Sequence, residues 1–133
     1  MSALRLSLRA TETAAREARR ALAELPCDRE VLDSATLLVS EVVTNSFLHA
    51  GLDPDDLIHL RAELSATRLR VTVCDEGEGF DLRNARDYGD GDGDGDVGVG
   101  GWGLYLVDQL AHRWGIARNA RTCVWFEVAV ASR

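Results

Sequence analysis

A chain of 133 residues is long enough to bury roughly 70% of its unfolded surface as one domain. Its formal net charge of −7 argues against bulk affinity for nucleic acid or an anionic membrane. All 15 basic residues are arginine, which excludes chemistry that requires a lysine, Walker-type phosphate binding and Schiff bases included.

The chain opens as a strand, because Leu4, Leu6 and Leu8 alternate with Arg5, Ser7 and Arg9. Thr11 then caps a first helix with an apolar stripe of Ala14, Ala18, Ala21, Leu22 and Leu25, and Pro26 stops it. Asp28 caps a second helix running to about Ala50, with Leu32, Ala35, Val39 and Val42 as its core face and Gly51 at its end. Residues 57–64 and 67–75 read as a hairpin around Ser65-Ala66, with Leu69, Val71 and Val73 on one side of its second strand. Residues 81–100 form a polar Gly/Asp-rich loop, and a third helix covers about 101–112. Strands near 113–117 and 122–130 close the chain. Helices segregated from consecutive strands imply an α+β fold, a two-layer sandwich with a mixed, mostly antiparallel sheet and three main helices on one face. Nothing divides residues 1–133 into two domains.

No uninterrupted apolar run approaches the ~20 residues of a membrane span, and Met1-Ser2-Ala3-Leu4-Arg5 lacks the shape of a signal peptide. Cys27, Cys74 and Cys123 are odd in number, far apart and never in a Cys-x-x-Cys pair. The expectation is reduced, mostly buried thiols in a cytoplasmic protein. His59 and His112 read as structural residues, and Trp114 and Trp125 as core.

Three short motifs carry chemistry. Glu41 and Asn45 lie four apart on the second helix and project together, with His49 one turn further. An Asn oxygen is a hard, neutral ligand suited to Mg²⁺, and a Glu one turn away can accept a proton from an attacking hydroxyl. Asp75 ends a strand beside Gly77 and Gly79: its carboxylate can accept a hydrogen bond from an exocyclic amine such as adenine N6, and glycines let the backbone approach a flat base. Gly98, Gly100, Gly101 and Gly103 lead into the helix that begins near Leu104, where backbone N–H groups form an anion site. Taken singly, each motif also fits a solvated helix face, a simple turn or a flexible helix entry.

In this order and spacing they resemble the N-, G1- and G2-boxes of the Bergerat-fold (GHKL) ATPases, the group of gyrase, heat-shock chaperone and histidine-kinase ATP domains. Within it the chain is most similar to the small stand-alone anti-sigma factor serine/threonine kinases, through Glu41-x-x-x-Asn45, Asp75-Glu76-Gly77-x-Gly79-Phe80, Gly101-x-Gly103-Leu104 and Val124-Trp125-Phe126-Glu127. The resemblance implies ATP and Mg²⁺ as cofactors, with Asn45 as metal ligand and Glu41 as catalytic base. It places Asp75 on adenine, Gly77 and Gly79 along the base pocket, and Gly101, Gly103 and Leu104 at the phosphates. It implies phosphoryl transfer to a Ser/Thr of an anti-anti-sigma partner, sequestration of a sigma factor, and a homodimer.

Two features depart from that pattern. The family often has Gly-Lys-Thr where this chain has Arg121-Thr122-Cys123. If Val124-Trp125-Phe126 sets the alignment, Cys123 takes the usual Thr position and Thr122, the remaining adenine-side candidate, points to the opposite face. The second is Asp90-Gly-Asp92-Gly-Asp94-Gly-Asp96 in the segment matching the ATP lid. It starts like an EF-hand loop, but Gly101 stands where the closing Glu belongs, so the expectation is a mobile loop rather than a calcium site. The alternative to an enzyme is a nucleotide-binding module that switches partner affinity without phosphorylation. A histidine-kinase ATP domain fits less well, since no dimerising helix with a phosphoacceptor histidine precedes it and His49 lies in the site helix.

Overall fold

The computed structural model describes residues 2–49, 52–76, 104–118 and 121–131. Apolar alternation produces β1 (Ser2–Arg9), whose leucines face inward while Arg5, Ser7 and Arg9 face out. Helix α1 (Ala14–Leu22) begins later than a Thr11 cap would place it. The reason is local: the Thr11 and Thr13 hydroxyls lie 3.1 Å apart, Thr13 donates to the Glu17 carboxylate at 3.1 Å, and neither hydroxyl is spent on a free backbone N–H. The helix ends before Pro26, in tight turns in which Glu24 and Leu25 N–H bond to the carbonyls of Ala21 and Leu22.

Helix α2 (Arg29–His49) is the spine of the second layer. Over Arg29–Leu48 it is long and apolar enough, by length and composition alone, to cross a membrane. Here its apolar side is instead packed on the sheet and on α1, burying Val31, Ala35, Leu38, Val39, Val42 and Val43. The expected hairpin is β2 (Leu57–Leu64) and β3 (Arg68–Asp75), closed by Ser65 N–H to the Arg68 carbonyl. A short α3 (Leu104–Leu110) precedes β4 (Arg113–Arg118) and β5 (Thr122–Ala129).

The strands form one sheet in the order β1-β2-β3-β5-β4, and all four pairings are antiparallel, so the antiparallel majority expected from sequence extends to every described pair. One face packs on the helices through Leu60, Leu69, Val71, Val124 and Phe126. Fully burying a side chain such as Leu69 or Phe126 contributes about 1.5–3 kcal/mol.

The other face is not bare. Glu127 is only 1% exposed, yet it lies on that face, held by Arg70 at 3.0 Å, Arg68 at 3.4 Å and Arg113 at 3.7 Å. Trp125, expected in the core, is on this face as well. Its period-two neighbours Val124 and Phe126 take the core positions, while its ring lies under the Arg70 guanidinium at 4.2 Å and against Gly115. A Cβ on Gly115 would sit 2.9 Å from the indole, which is why glycine occupies the position opposite Trp125. Trp114 does reach the core, and its indole N–H donates to Asp108 at 3.0 Å. Because the three arginines are partly exposed and can rehydrate, Glu127→Ala is expected to cost about 1–3 kcal/mol rather than the penalty of a stranded buried charge. Urea unfolding of the two proteins measures it, and an unchanged midpoint would show the cluster to be ornamental.

Candidate functional site

Chain direction brings the motif residues to one end of the sandwich. The start of α2 lies beside the β2–β3 hairpin, since Cys27 and Asp28 share a surface cleft with Ser65 and Ala66. The second half of α2 therefore runs toward the opposite end, where β3 finishes at Asp75 and β5 begins at Thr122. Helix α3 packs on α2 and precedes β4, whose last residue, Arg118, pairs with Thr122.

Buried polar side chains gather here, Ser46 beside Asn45 among them. Asp75 is 2% exposed and Thr122 4%, and they face each other across the β3–β5 ladder. Both lie on the helix-covered face, in line with Val73 and Val124. The expected orientation is thereby reversed: Thr122, not Cys123, shares the face of Asp75, and Cys123 points to the outer face opposite Cys74. Asp75 already engages in interactions of its own.

Asn45 is 2% exposed on α2, a helix that packs against α1, β3, β5 and α3. Among the described residues neither its Oδ1 nor its Nδ2 has a hydrogen-bond partner. Leaving such an amide buried and unpaired costs about 1–3 kcal/mol, so a group that completes its valences is called for. A hard cation at Oδ1 fits that donor chemistry. Glu41, one turn earlier, is half-buried. Its neighbour Ser40 accepts from Arg19 Nη1 at 2.8 Å, which pins α1 to α2 beside the site; sequence gave no sign of this contact, since it joins two helix faces 21 positions apart.

His49 ends α2, and Leu104 begins α3. Gly77, Gly79, Gly98, Gly100, Gly101 and Gly103, with Trp102 and the Asp90–Asp96 segment, lie outside the described residues. The structure thus sets Asp75 opposite Thr122 and places Glu41 and Asn45 on the second half of α2.

The cysteines depart from expectation. Cys74 and Cys123 form a disulfide, their Cα atoms 4.0 Å apart, and both are half-buried on the outer face; among the described cysteines only Cys27 is free. Strand register explains it, since the ladder places the two residues directly opposite one another. His59 sits on β2 with its Nδ1 3.0 Å from the Ser7 hydroxyl, and the His112 backbone N–H donates to the Glu127 carbonyl just before β4.

Comparison with known proteins agrees with this fold. The chain is 29% identical over 85 residues to the serine-protein kinase RsbW of Staphylococcus epidermidis, and the same match recurs in two strains of that species. The match covers 59% of this chain and 54% of the relative, so the chain spans about half the length of the curated relatives it matches. The crystal structure of the RsbU and RsbW domains of Rv1364c from Mycobacterium tuberculosis superposes with a TM-score of 0.69 at 22% identity, covering 100% of this chain and 34% of that one, and so shares its fold. The profile described as histidine kinase-like ATPase domain matches residues 4–128. With nearly its whole length inside that profile and its likeness running toward serine-protein kinases of RsbW type, the chain belongs to the histidine kinase-like ATPase domain family.

Proposed function

We propose that this chain binds ATP with Mg²⁺ and transfers the γ-phosphate to a Ser or Thr hydroxyl of an anti-anti-sigma partner, while sequestering a sigma factor. Asp75 and Thr122 hold the adenine edge, Gly77 and Gly79 line the base, Gly98, Gly100, Gly101, Gly103 and Leu104 serve the phosphates, and His49 is a further cofactor-binding residue. Glu41 accepts the proton of the attacking hydroxyl. Bound Mg²⁺ would neutralise phosphate charge, and Asn45 would hold it. No group of three His, Cys, Asp or Glu able to hold a metal occurs among the described residues, in keeping with an ion that completes its shell from phosphate and water. The likeness to serine-protein kinases supports the acceptor class. Cytoplasmic placement and pairing of two copies belong to the same reading.

One observation carries the proposal: a buried amide with no hydrogen-bond partner among the described residues, on the half of α2 that runs toward buried Asp75 and Thr122. A residue kept for folding would not be left so. Asn45→Leu is therefore expected to stabilise the ligand-free protein, by roughly 1–2 kcal/mol, and to abolish Mg²⁺-dependent ATP binding. Urea unfolding and calorimetric titration with ATP measure the two effects. A variant that is less stable and still binds Mg-ATP would remove the observation on which the proposal stands.

A further inference from the structure

Cys74 and Cys123 are the chain neighbours of Asp75 and Thr122, one residue back on each strand and on the opposite face of the sheet. The bridge therefore ties β3 to β5 beside the two side chains assigned to adenine. On the outer face it stands in a row with Ser7, His59 and Ala117. Cys74 lines a shallow cleft of about 290 Å³ together with His59, Arg5, Arg61 and Arg121. Glu63 lies 3.8 Å from Arg61 and Glu76 3.7 Å from His59, and these carboxylates offset part of the field of Arg5, Arg61 and Arg121, yet the three arginines leave the cleft cationic in a chain of net charge −7. A partly exposed cysteine in cationic surroundings is the setting in which thiolates exchange.

We propose that Cys74 and Cys123 are a reversible thiol–disulfide exchange site for an anionic low-molecular-weight thiol couple of the glutathione type, and that its oxidation state sets nucleotide affinity. The inference rests on the cytoplasmic ATP-binding reading, because a disulfide in a reducing compartment is characteristically transient rather than structural. In the oxidising direction the Cys74 thiolate attacks the small disulfide, forming a mixed disulfide and releasing one small thiolate. The Cys123 thiolate then attacks Cys74 Sγ, closing the bridge and releasing the second. Two protein thiols lose two electrons and two protons, and one small disulfide becomes two thiols. The closed bridge holds the ends of β3 and β5 in fixed register, so Asp75 and Thr122 are ordered before nucleotide arrives and less ordering is left to the binding step.

The test equilibrates the full chain in buffers of graded reduced-to-oxidised glutathione ratio, quenches with acid and counts free thiols by maleimide mass shift. Cys27 serves as an internal control: it is free, and burial, with Asp28 beside it, pushes its thiol pKa up. The expected result is a two-thiol transition of Cys74 and Cys123 within the glutathione range, with a rate that falls as salt is added. A bridge unchanged at both extremes overturns the exchange site. Titration with Mg-ATP should then show about tenfold tighter binding by the oxidised chain. The C74S/C123S double variant should bind at the reduced value in every buffer. Equal affinities in the two states, or tighter binding by the reduced chain, overturn the coupling. If the thiols titrate but neither state binds ATP, the nucleotide reading and the coupling fall together while the exchange site stands.

Discussion

Glu41→Gln is expected to lower phosphoryl transfer by about 10²–10⁴-fold and to leave ATP affinity within about twofold. Glutamine keeps the size of the side chain and one acceptor oxygen, but it cannot take a proton from the acceptor hydroxyl. Glu41 is half-buried on α2, a turn before Asn45, so replacing it leaves the buried amide and the buried Asp75 and Thr122 in place. Single-turnover transfer of labelled phosphate to a purified anti-anti-sigma protein, alongside ATP titration, separates the two quantities. An unchanged transfer rate would strip Glu41 of its role. A native chain that binds both ATP and partner but transfers nothing would favour the nucleotide-switch alternative.

Asp75→Asn attacks the other end of the nucleotide. The carboxylate is buried at the end of β3, where a hydrogen bond to a charged group contributes about 1.5–3 kcal/mol, so ATP affinity is expected to fall roughly ten- to more than a hundredfold. The variant amide presents N–H donors as well as an oxygen, and the adenine amine is itself a donor while guanine offers an oxygen at the same position. The preference for ATP over GTP should shrink in the same titration. A fold defect would weaken both nucleotides alike and show in the urea midpoint. A variant that binds ATP as tightly as the parent would remove Asp75 from the adenine edge.

Much of this site is legible in one sequence because its pieces are local. Glu41 and Asn45 share a helix face through a four-residue spacing, and Asp75 marks the end of a strand whose alternation is unambiguous. That Thr122 rather than Cys123 shares the core face follows from the period-two alternation it has in common with Val124 and Phe126. Non-local register is another matter. Which residue of β3 Thr122 meets depends on the pairing of strands far apart in the chain, which become neighbours with β4 left at the edge. The Cys74–Cys123 bridge was hidden for the same reason. Trp125 was misplaced because a large aromatic in an apolar run looks like core. What keeps it outside is arginine stacking and a glycine opposite, neither visible along the strand. The orphaned amide of Asn45 required a packed interior to be seen at all.

The strand order β1-β2-β3-β5-β4 has a consequence for how the chain reaches this structure. The β2–β3 and β4–β5 pairings are hairpins that close over short loops. The other two are not: Leu8 must find Ile58, and Cys74 and Cys123 are 49 residues apart. Closing such separations costs chain entropy before packing offsets it, so the rate of folding is governed by the docking of two ready hairpins and an incoming first strand. Asp75 and Thr122 belong to different hairpins. The two side chains proposed to hold adenine therefore face each other only once both hairpins have docked.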